Sequence, residues 1–554
     1  MYQRSKKTWV TGIVFICVLC WGGFFDFAAI AMGAVFEILL LIRIHRRKEL
    51  LLPKGWVLYA GLIFSISALV AMITAFDKGT AWIGILRIVS VWCFGLLWMN
   101  ASDEEQRETF EAIPLSGAVL NLVSITAWFI PGLKDRFFSA GRLWGTMQYA
   151  NTWALFLLIG LIILLGKEKT GRDEWIQAGI LLLGIIMTGS RSVFVLTIIF
   201  GGWLFLRSKA DKKVKALAVG IVIAAAAVIQ LMMGLDLGRL ADISLNSSTL
   251  NGRLLYWQDA LKLITGHPMG VGYLNYYFMQ PQIQTGYYFT KNVHNDLLQF
   301  MLDDGVIAAV VIVIFVGYGL YSKKNDSSHK LVLLVLALHS LFDFNLEFMV
   351  MTGILVMCMP AAEQKKVTVK MSAGVAAAGC LCLYFAAALG ADYFGNTNLS
   401  LAMYPYNTMA SQKLLSSEDK TVAVKAAERI VRENGMMAEA YETLLQQAVE
   451  NKDYERAVSL ENDMLKCAGY NLYYYNQAVL MLSHGLDSAV RCGDLDNGQA
   501  ILSEIQSIPD KLEQLKERTT ERAWKLYDQP TFDLDENIQN YIQEMEGIRL
   551  HIEE

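Results

Sequence analysis

The sequence predicts an all-α polytopic membrane protein with about 12–13 transmembrane helices, followed by a soluble α-helical domain. Hydrophobic residues make up 54% of the 554 residues and charged residues only 18%, whereas a soluble protein of this size carries more charge. Apolar stretches of about 17–25 residues, long enough to cross a bilayer, recur up to about residue 390 and then stop. Beyond that point the chain is polar and acidic, with helical periodicity. We therefore predict a membrane domain at 1–390 and a soluble domain at 391–554.

The apolar stretches begin close to the N-terminus. The first has a basic flank and no small-residue cleavage site, so we interpret it as a span and not as a cleaved signal. The candidate spans lie near 9–22, 24–42, 56–76, 81–99, 112–130, 150–166, 174–189, 192–206, 214–234, 305–321, 330–346, 347–363 and 371–390. Six of the eight cysteines lie in these spans, and the sequence leaves open whether Cys467 and Cys492 in the tail form a disulfide.

The connections between spans alternate between basic and non-basic. The positive-inside rule assigns the basic ones to the cytoplasm. They lie near 4–7, 43–48, 167–172, 207–213, 323–324 and 365–370. The extracytoplasmic side then receives the connections at 77–80, 132–148, 188–192, 235–304 and 342–345, together with the C-terminal domain. Every polar feature of functional interest falls on this side, although external loops are also less basic by default.

Two arginines stand where an anion can bind. Arg191, in TGSRS, begins an apolar span, and exposed N–H groups at a helix start favour a phosphate. The alternative is an interfacial arginine that snorkels to lipid headgroups. Arg253 opens the stretch NGRLLYWQDALKLI, whose apolar periodicity predicts an amphipathic helix capped by Asn251. Here the alternative is an ordinary interfacial helix with a surface arginine.

His294, in KNVHNDLLQF, is the candidate catalytic residue. It directly precedes an apolar helix, and its neighbours Asn292, Asn295 and Asp296 can cap that helix or select the imidazole tautomer. Because an imidazole titrates near neutral pH, it can accept a proton from a hydroxyl group. A purely structural histidine is the more common alternative.

Arg142, in GRLWGTMQYAN, is a further basic position on the same side of the membrane. His339 and Asp343 are four residues apart and are expected to share one helix face.

Motifs for several other chemistries are missing from the sequence. It contains no GxxxxGK[ST] loop, which leaves ATP-driven transport unsupported, and neither a CxxC motif nor a histidine-rich cluster that suggests a metal. The first external loop has no DxD pair or acidic cluster, which disfavours a metal-dependent sugar transferase. Few ionisable residues lie deep in the spans, Glu37 and Arg87 being the exceptions, which disfavours a proton-coupled carrier. We expect no metal and no cofactor.

Taken in order, these motifs resemble the superfamily of bacterial O-antigen ligases and O-antigen polymerases. The resemblance covers most of the first 390 residues. It rests on GRLWGTMQYANTWA near 142–154, TGSRSVFVL at 188–196, NGRLLYWQDALKLITGHPMGVG at 251–272, VHNDLLQFMLDDG at 293–305 and HSLFDFN at 339–345.

The resemblance implies a many-helix membrane fold of the C-type glycosyltransferase kind in the bacterial cytoplasmic membrane. It also implies a glycan donor carried on undecaprenyl diphosphate, a glycan or protein acceptor, and no metal or nucleotide; no nucleic-acid partner is expected. By correspondence of motifs, Arg191 and Arg253 are the residues expected to bind the donor diphosphate, Arg142 is a further basic position, and His294 is the base that activates the acceptor hydroxyl.

The tail departs from the simplest members of that superfamily. Its helical segments repeat with a period of about 31–35 residues, close to tetratricopeptide spacing, although a plain helical bundle fits as well. An extracytoplasmic tail of this kind suits holding an acceptor, as in a glycan polymerase or a protein O-oligosaccharyltransferase. Two other classes stay open: a lipid-linked oligosaccharide flippase, and a non-catalytic membrane scaffold.

Overall fold

The computed structural model describes residues 12–167, 171–209, 212–233, 247–368 and 372–550. Every predicted span coincides wholly or partly with a helix in these ranges. The helices of the membrane region are Asp26–Arg47, Trp56–Thr74, Lys78–Met99, Asp103–Ala127, Ala150–Leu165, Arg172–Thr188, Arg191–Leu196, Gly202–Arg207, Lys212–Met233, Val306–Tyr321, Ser327–Ser340, Met349–Met357 and Ser372–Tyr393. Residues 12–19 are also helical. A π-helical turn, Thr197–Gly201, joins two of these helices into one continuous span.

Within the described ranges, five helices are long and apolar enough to cross a membrane. They are Asp26–Arg47, Trp56–Thr74, Lys78–Met99, Asp103–Ala127 and the part of the last helix at Ala373–Tyr393. Two shorter apolar helices are Ala150–Leu165 and Val306–Tyr321. The architecture is thus a multi-pass helical membrane protein, and the predicted number of 12–13 crossings stays a prediction.

The centre of the membrane region is the helix Ala150–Leu165. It is apolar on all sides, with Trp153 and Phe156 fully buried, as expected for a helix surrounded by other helices. It packs against Asp103–Ala127, Arg172–Thr188 and Ser327–Ser340. Its N-terminal end is where the polar residues of the candidate site converge.

Two short antiparallel ribbons, which the all-α prediction did not include, connect loops at opposite ends of the helices. Glu49–Pro53 pairs with Gln364–Thr368 on the basic side, and Lys366 Nζ lies 3.1 Å from Glu49 Oε2. On the other side, Phe138–Ser139 pairs with Arg142–Leu143 and thereby fixes the backbone of Arg142.

The described part of the predicted loop 235–304 folds into three helices, Ser248–Gly266, Asn275–Ile283 and Asp296–Asp303. The first is capped by the Ser247 side chain, so the prediction that Asn251 caps it was wrong; the helix begins one turn earlier than its apolar pattern. Asp259, which has no exposed surface, accepts hydrogen bonds from Thr285 N (3.0 Å) and Oγ1 (2.8 Å) and from Tyr288 Oη (2.9 Å). This carboxylate ties the helix to the following loop.

The C-terminal region is a helical array. Its helices are Thr397–Met403, Thr408–Lys413, Lys420–Glu433, Ala438–Glu450, Tyr454–Lys466, Leu472–Cys492, Leu495–Glu517 and Glu536–Met545. The apolar faces of the helices from Lys420 onward form one core, which also includes Phe278 of the loop. Cys467 and Cys492 are separate free thiols, so they do not form the disulfide that the sequence left open.

The tail packs directly on the loop. Thr520 N donates to Thr285 O (3.0 Å), and Tyr527 N donates to Ser248 Oγ (2.8 Å). Ala523 and Leu526 join Leu255 of the first loop helix in a small apolar cluster. The tail therefore borders the helix that carries Arg253.

Candidate functional site

The centre of the candidate site is Asp343, a carboxylate with no exposed surface in the connection between the helices Ser327–Ser340 and Met349–Met357. Four side chains from distant parts of the chain converge on it. They are Tyr149 Oη (2.8 Å), Asn151 Nδ2 (2.7 Å), Arg253 Nη2 (3.3 Å) and His294 Nδ1 (3.1 Å). The backbone N–H of Phe344 donates to the same carboxylate at 3.1 Å.

Asp343 does not share a helix face with His339, and that prediction was wrong. The helix ends at Ser340, so the two residues do not lie on one helix face, and their side chains interact only through the charge of Asp343. His339 instead contacts Asn345 Oδ1 through Nδ1 (3.1 Å) and Ser192 Oγ through Nε2 (3.0 Å). His339 thus ties the segment that follows Arg191 to the connection that carries Asp343.

His294 is held in an unusual backbone conformation. Its φ of 54° lies in the left-handed region, which non-glycine residues seldom adopt and which is common at functional sites. Asn295, one of the three neighbours predicted to cap the next helix or to select the tautomer, caps that helix by accepting from Leu298 N at 3.1 Å. Asp343, and not the neighbouring asparagines, bonds the ring at Nδ1. The ring nitrogen that does not contact Asp343 is Nε2.

Arg253 lies in the second turn of the helix Ser248–Gly266, and 15% of its side chain is exposed. Because its guanidinium contacts the carboxylate that also binds His294, the two predicted residues share one acid. Arg142 belongs to the same network through a second layer of contacts. Its Nη2 donates to Asn151 Oδ1 (2.7 Å) and its Nε to Thr188 O (2.7 Å).

Arg191 begins the helix that follows Gly189, whose φ of 59° ends the preceding helix. Its backbone lies between Thr188, whose carbonyl binds Arg142, and Ser192, whose hydroxyl contacts His339. The structure thus brings Arg142, Arg253 and His294 into one hydrogen-bonded network and places the segment of Arg191 at the edge of that network.

The electrostatics of the site favour an ionised Asp343. Burial by itself raises the pKa of this carboxyl, but the hydrogen bond from His294 and the charges of His294 and Arg253 hold the pKa well below its usual range. Burial and the nearby Asp343 charge raise the pKa of the Tyr149 phenol well above its ordinary value, so Tyr149 stays a hydrogen-bond donor. The site thus favours a negative charge on Asp343 in contact with an imidazole.

Sequence reasoning missed Tyr149 and Asn151 as partners of Asp343. Both lie in the GRLWGTMQYAN stretch, so the signal was present in the motif, but nothing local indicated their partner. Among the described residues, no group of three or more histidine, cysteine, aspartate or glutamate side chains is arranged to hold a metal ion.

A cavity of about 830 Å³ lies below the site within the helical bundle. Its upper end is lined by Asp296 and Glu347, and it reaches Lys167 and Lys324 on the basic side. Asp296 connects the two regions, because its carboxylate accepts from Asn345 N (3.0 Å) and Leu346 N (3.1 Å) next to Asp343. His294, Arg253 and Asp343 are not part of the cavity lining.

Residues 177–313 match the family model described as O-antigen ligase. The matched range includes Arg191, Arg253 and His294 and leaves out Arg142 and Asp343. The match supports the O-antigen ligase superfamily for this part of the chain and, with the apolar helices, a multi-pass membrane protein that transfers glycosyl groups. No match was found among the curated proteins compared with the chain.

Proposed function

We propose, from the O-antigen ligase match and the geometry around Asp343, that this protein is a glycan transferase or polymerase. Its donor is an oligosaccharide linked to undecaprenyl diphosphate in a bacterial cytoplasmic membrane, and its acceptor is a hydroxyl group on the extracytoplasmic face. The observation that carries the proposal is the contact between His294 Nδ1 and the buried Asp343 carboxylate, because it orients Nε2 for proton transfer.

In the proposed reaction, His294 Nε2 accepts the proton of the acceptor hydroxyl as its oxygen forms a bond to the anomeric carbon of the donor. The bond between that carbon and the phosphate oxygen breaks, and its electron pair leaves with undecaprenyl diphosphate. Asp343 stabilises the imidazolium that forms, as the buried acid does in hydrolase triads. A single displacement of this kind inverts the configuration at the anomeric carbon.

The diphosphate gains negative charge as it leaves. Arg191 and Arg253 are proposed to bind it, and Arg142 to support it, because guanidinium groups form bidentate, charge-assisted hydrogen bonds with phosphate oxygens. Replacing Arg191 or Arg253 with lysine is expected to impair donor use, since a point charge does not reproduce bidentate contacts. Unchanged donor kinetics would assign these arginines to anchoring the fold.

The soluble domain at 391–554 is proposed to be a tetratricopeptide-like module that holds the acceptor. Two observations support this. The helix pair Lys420–Glu433 and Ala438–Glu450 recurs as Tyr454–Lys466 and Leu472–Cys492, with each helix starting 34 residues after its counterpart. The tail also reaches the site, because its segment near Tyr527 packs on the helix of Tyr256, whose ring centroid is 6.2 Å from that of His294.

The decisive experiment supplies the purified protein with lipid-linked glycan from its own host and measures product masses. A ladder of glycan lengths indicates a polymerase, and one fixed addition to a protein indicates the alternative, a protein O-oligosaccharyltransferase. The same assay with EDTA is expected to give an unchanged rate, and a rate restored only by added metal would contradict the metal-independent mechanism. Deleting 397–554 is expected to change acceptor choice more than donor binding.

A lipid-linked oligosaccharide flippase is the alternative from a different class. It requires a polar passage through the bilayer. The proposed donor-binding residues Arg142, Arg191 and Arg253 lie outside the 830 Å³ cavity, whose own basic lining residues are Arg87, Arg107, Lys167 and Lys324. Transport of labelled lipid-linked glycan across liposomes without any new glycosidic bond would favour the flippase. A scaffold, the third class, gives no role to His294 or the arginines.

A further inference from the structure

The loop that carries His294 is fixed on both sides of a second charged residue, Lys291. Before it, Thr290 N donates to Gln280 Oε1 (3.0 Å), and Gln280 Nε2 donates to Thr290 O (2.7 Å). After it, Val293 N donates to Gln299 Oε1 (3.0 Å). Because these bonds hold the backbone, they fix the position of Lys291 relative to that of His294.

Lys291 is an exposed residue whose ammonium group lies over an aromatic ring. Its Nζ is 5.9 Å from the centroid of Phe24. Across the described part of the chain, no side-chain hydrogen bond or ion pair of Lys291 occurs. Glu347 lies within electrostatic range, but its carboxylate is paired with Arg87 at 3.4 Å. The charge of Lys291 is therefore available to a ligand.

An aromatic spacer separates Lys291 from His294. The ring of Phe24 lies 6.3 Å from that of Phe344, and Phe344 lies 4.9 Å from His294, in each case between centroids. In an inverting displacement the nucleophile and the leaving group occupy opposite faces of the sugar ring. His294 as the base at one end of this spacer and Lys291 as the cation at the other end match this arrangement on opposite faces of the sugar.

The charge balance next to His294 also indicates that the donor diphosphate needs a further cation. The guanidinium of Arg253 is balanced by the buried Asp343 at 3.3 Å, on the His294 side. A diphosphate carries about two negative charges. Arg253, whose charge is already balanced by Asp343, does not neutralise them by itself. Because Lys291 has no carboxylate within ion-pair distance among the described residues, it gives up little on binding a phosphate, and hydrogen bonds between charged groups are stronger than those between neutral groups.

We propose that Lys291 binds the diphosphate of the lipid-linked donor and stabilises it as it leaves. This inference rests on the proposed function. The ammonium neutralises charge on the phosphate oxygens when the bond from the anomeric carbon breaks, while the proton of the acceptor moves to His294 and undecaprenyl diphosphate departs. Arg253 is then the arginine nearer the base, and Lys291 supplies charge on the leaving-group side.

The test measures binding of undecaprenyl diphosphate in detergent micelles by native mass spectrometry. Lys291→Gln is expected to raise the dissociation constant about 10-fold or more, and Lys291→Arg is expected to restore most of the affinity. Lys262→Gln, an exposed lysine of the same loop, is the matched control and should bind as the wild type does. For undecaprenyl monophosphate, the dissociation constants of the wild type and Lys291→Gln should differ by a smaller factor.

The outcomes separate the two proposals. Equal binding of undecaprenyl diphosphate by the wild type and Lys291→Gln overturns the role of Lys291 and leaves the proposed function standing. A wild type that does not bind undecaprenyl diphosphate at all overturns both. Because Lys291 is exposed, its variants should keep the elution volume of the wild type in size-exclusion chromatography.

Discussion

Asp343 in the site and Glu461 in the tail are both fully buried carboxylates, yet their surroundings differ sharply. Asp343 accepts hydrogen bonds from four side chains, including a guanidinium and an imidazole, and its pKa is held well below the usual range. Glu461 has one charged partner, Lys511 Nζ at 3.1 Å, which Glu504 also contacts at 3.1 Å. There burial outweighs Lys511 and raises the pKa of Glu461 to about 7.

The difference shows which charge state of a buried carboxyl each region stabilises. A buried charge is costly unless several donors compensate for the lost water, so a low pKa at full burial requires a dense set of donors. The site has such a set, whereas the tail tolerates an acid that is easily protonated. Strongly perturbed carboxyls with specific charged partners are more frequent at functional sites than in ordinary cores. Both carboxyls meet that description, and what distinguishes Asp343 is its contact with an imidazole and a guanidinium.

The largest effect is expected for the site. His294→Ala should lower the rate of glycan transfer about 100- to 10,000-fold, because it removes the base, and Asp343→Asn should approach the same loss. Binding of undecaprenyl diphosphate should change far less. Steady-state transfer rates and native mass spectrometry of the two variants check this. A His294→Ala variant that retains transfer activity would remove the proposed base.

A smaller effect, on stability alone, is expected for Glu461→Gln. The pKa of Glu461 in the folded tail, about 7, lies above its value of about 4.3 in an unfolded chain, so the folded state binds the proton more tightly. This contribution is fully present below about pH 4 and is lost as the pH rises through about 7. The wild-type tail should thus lose stability on the order of 3 kcal/mol over this range.

Thermal unfolding of the full chain, followed by circular dichroism between pH 5 and pH 8.5, measures this loss. Glu461→Gln should make the unfolding temperature less dependent on pH, and its transfer rate should equal that of the wild type. The matched control is Glu504→Gln, which changes the other acid on Lys511. A transfer rate that falls with Glu461→Gln would break the distinction between the two buried acids.

The smallest effect is expected where the two regions meet. Tyr527 is 90% exposed and Trp524 43% exposed on the tail segment that packs against the loop helix. If the tail holds a glycan acceptor, replacing both with alanine should raise the KM for the acceptor severalfold, since one aromatic stacking contact contributes about 0.5–1.5 kcal/mol. The KM for the donor should not change. Tyr473→Ala, an exposed tyrosine elsewhere in the tail, is the control, and equal effects would argue against an acceptor surface.

Local features of the site could be predicted from the sequence. The capping of the helix after His294 by Asn295 depends on residues within one turn, and the sequence places it correctly. The pairing of His339 with Asp343 was wrong because a spacing rule holds only while the helix continues, and this helix stops at Ser340. Asn251 is not a cap because its helix begins one turn before the apolar pattern does.

The sequence by itself determined that this is a multi-pass helical membrane protein, because hydropathy accumulates over neighbouring residues and a bilayer responds to it directly. It also singled out Arg142, Arg253 and His294, which the structure joins in one network. Only the tertiary structure showed that Asp343 connects them, by direct contacts to Arg253 and His294 and through Asn151 to Arg142. Its partners lie between 49 residues (His294) and 194 residues (Tyr149) away along the chain, and no local pattern records contacts that form when distant helices pack.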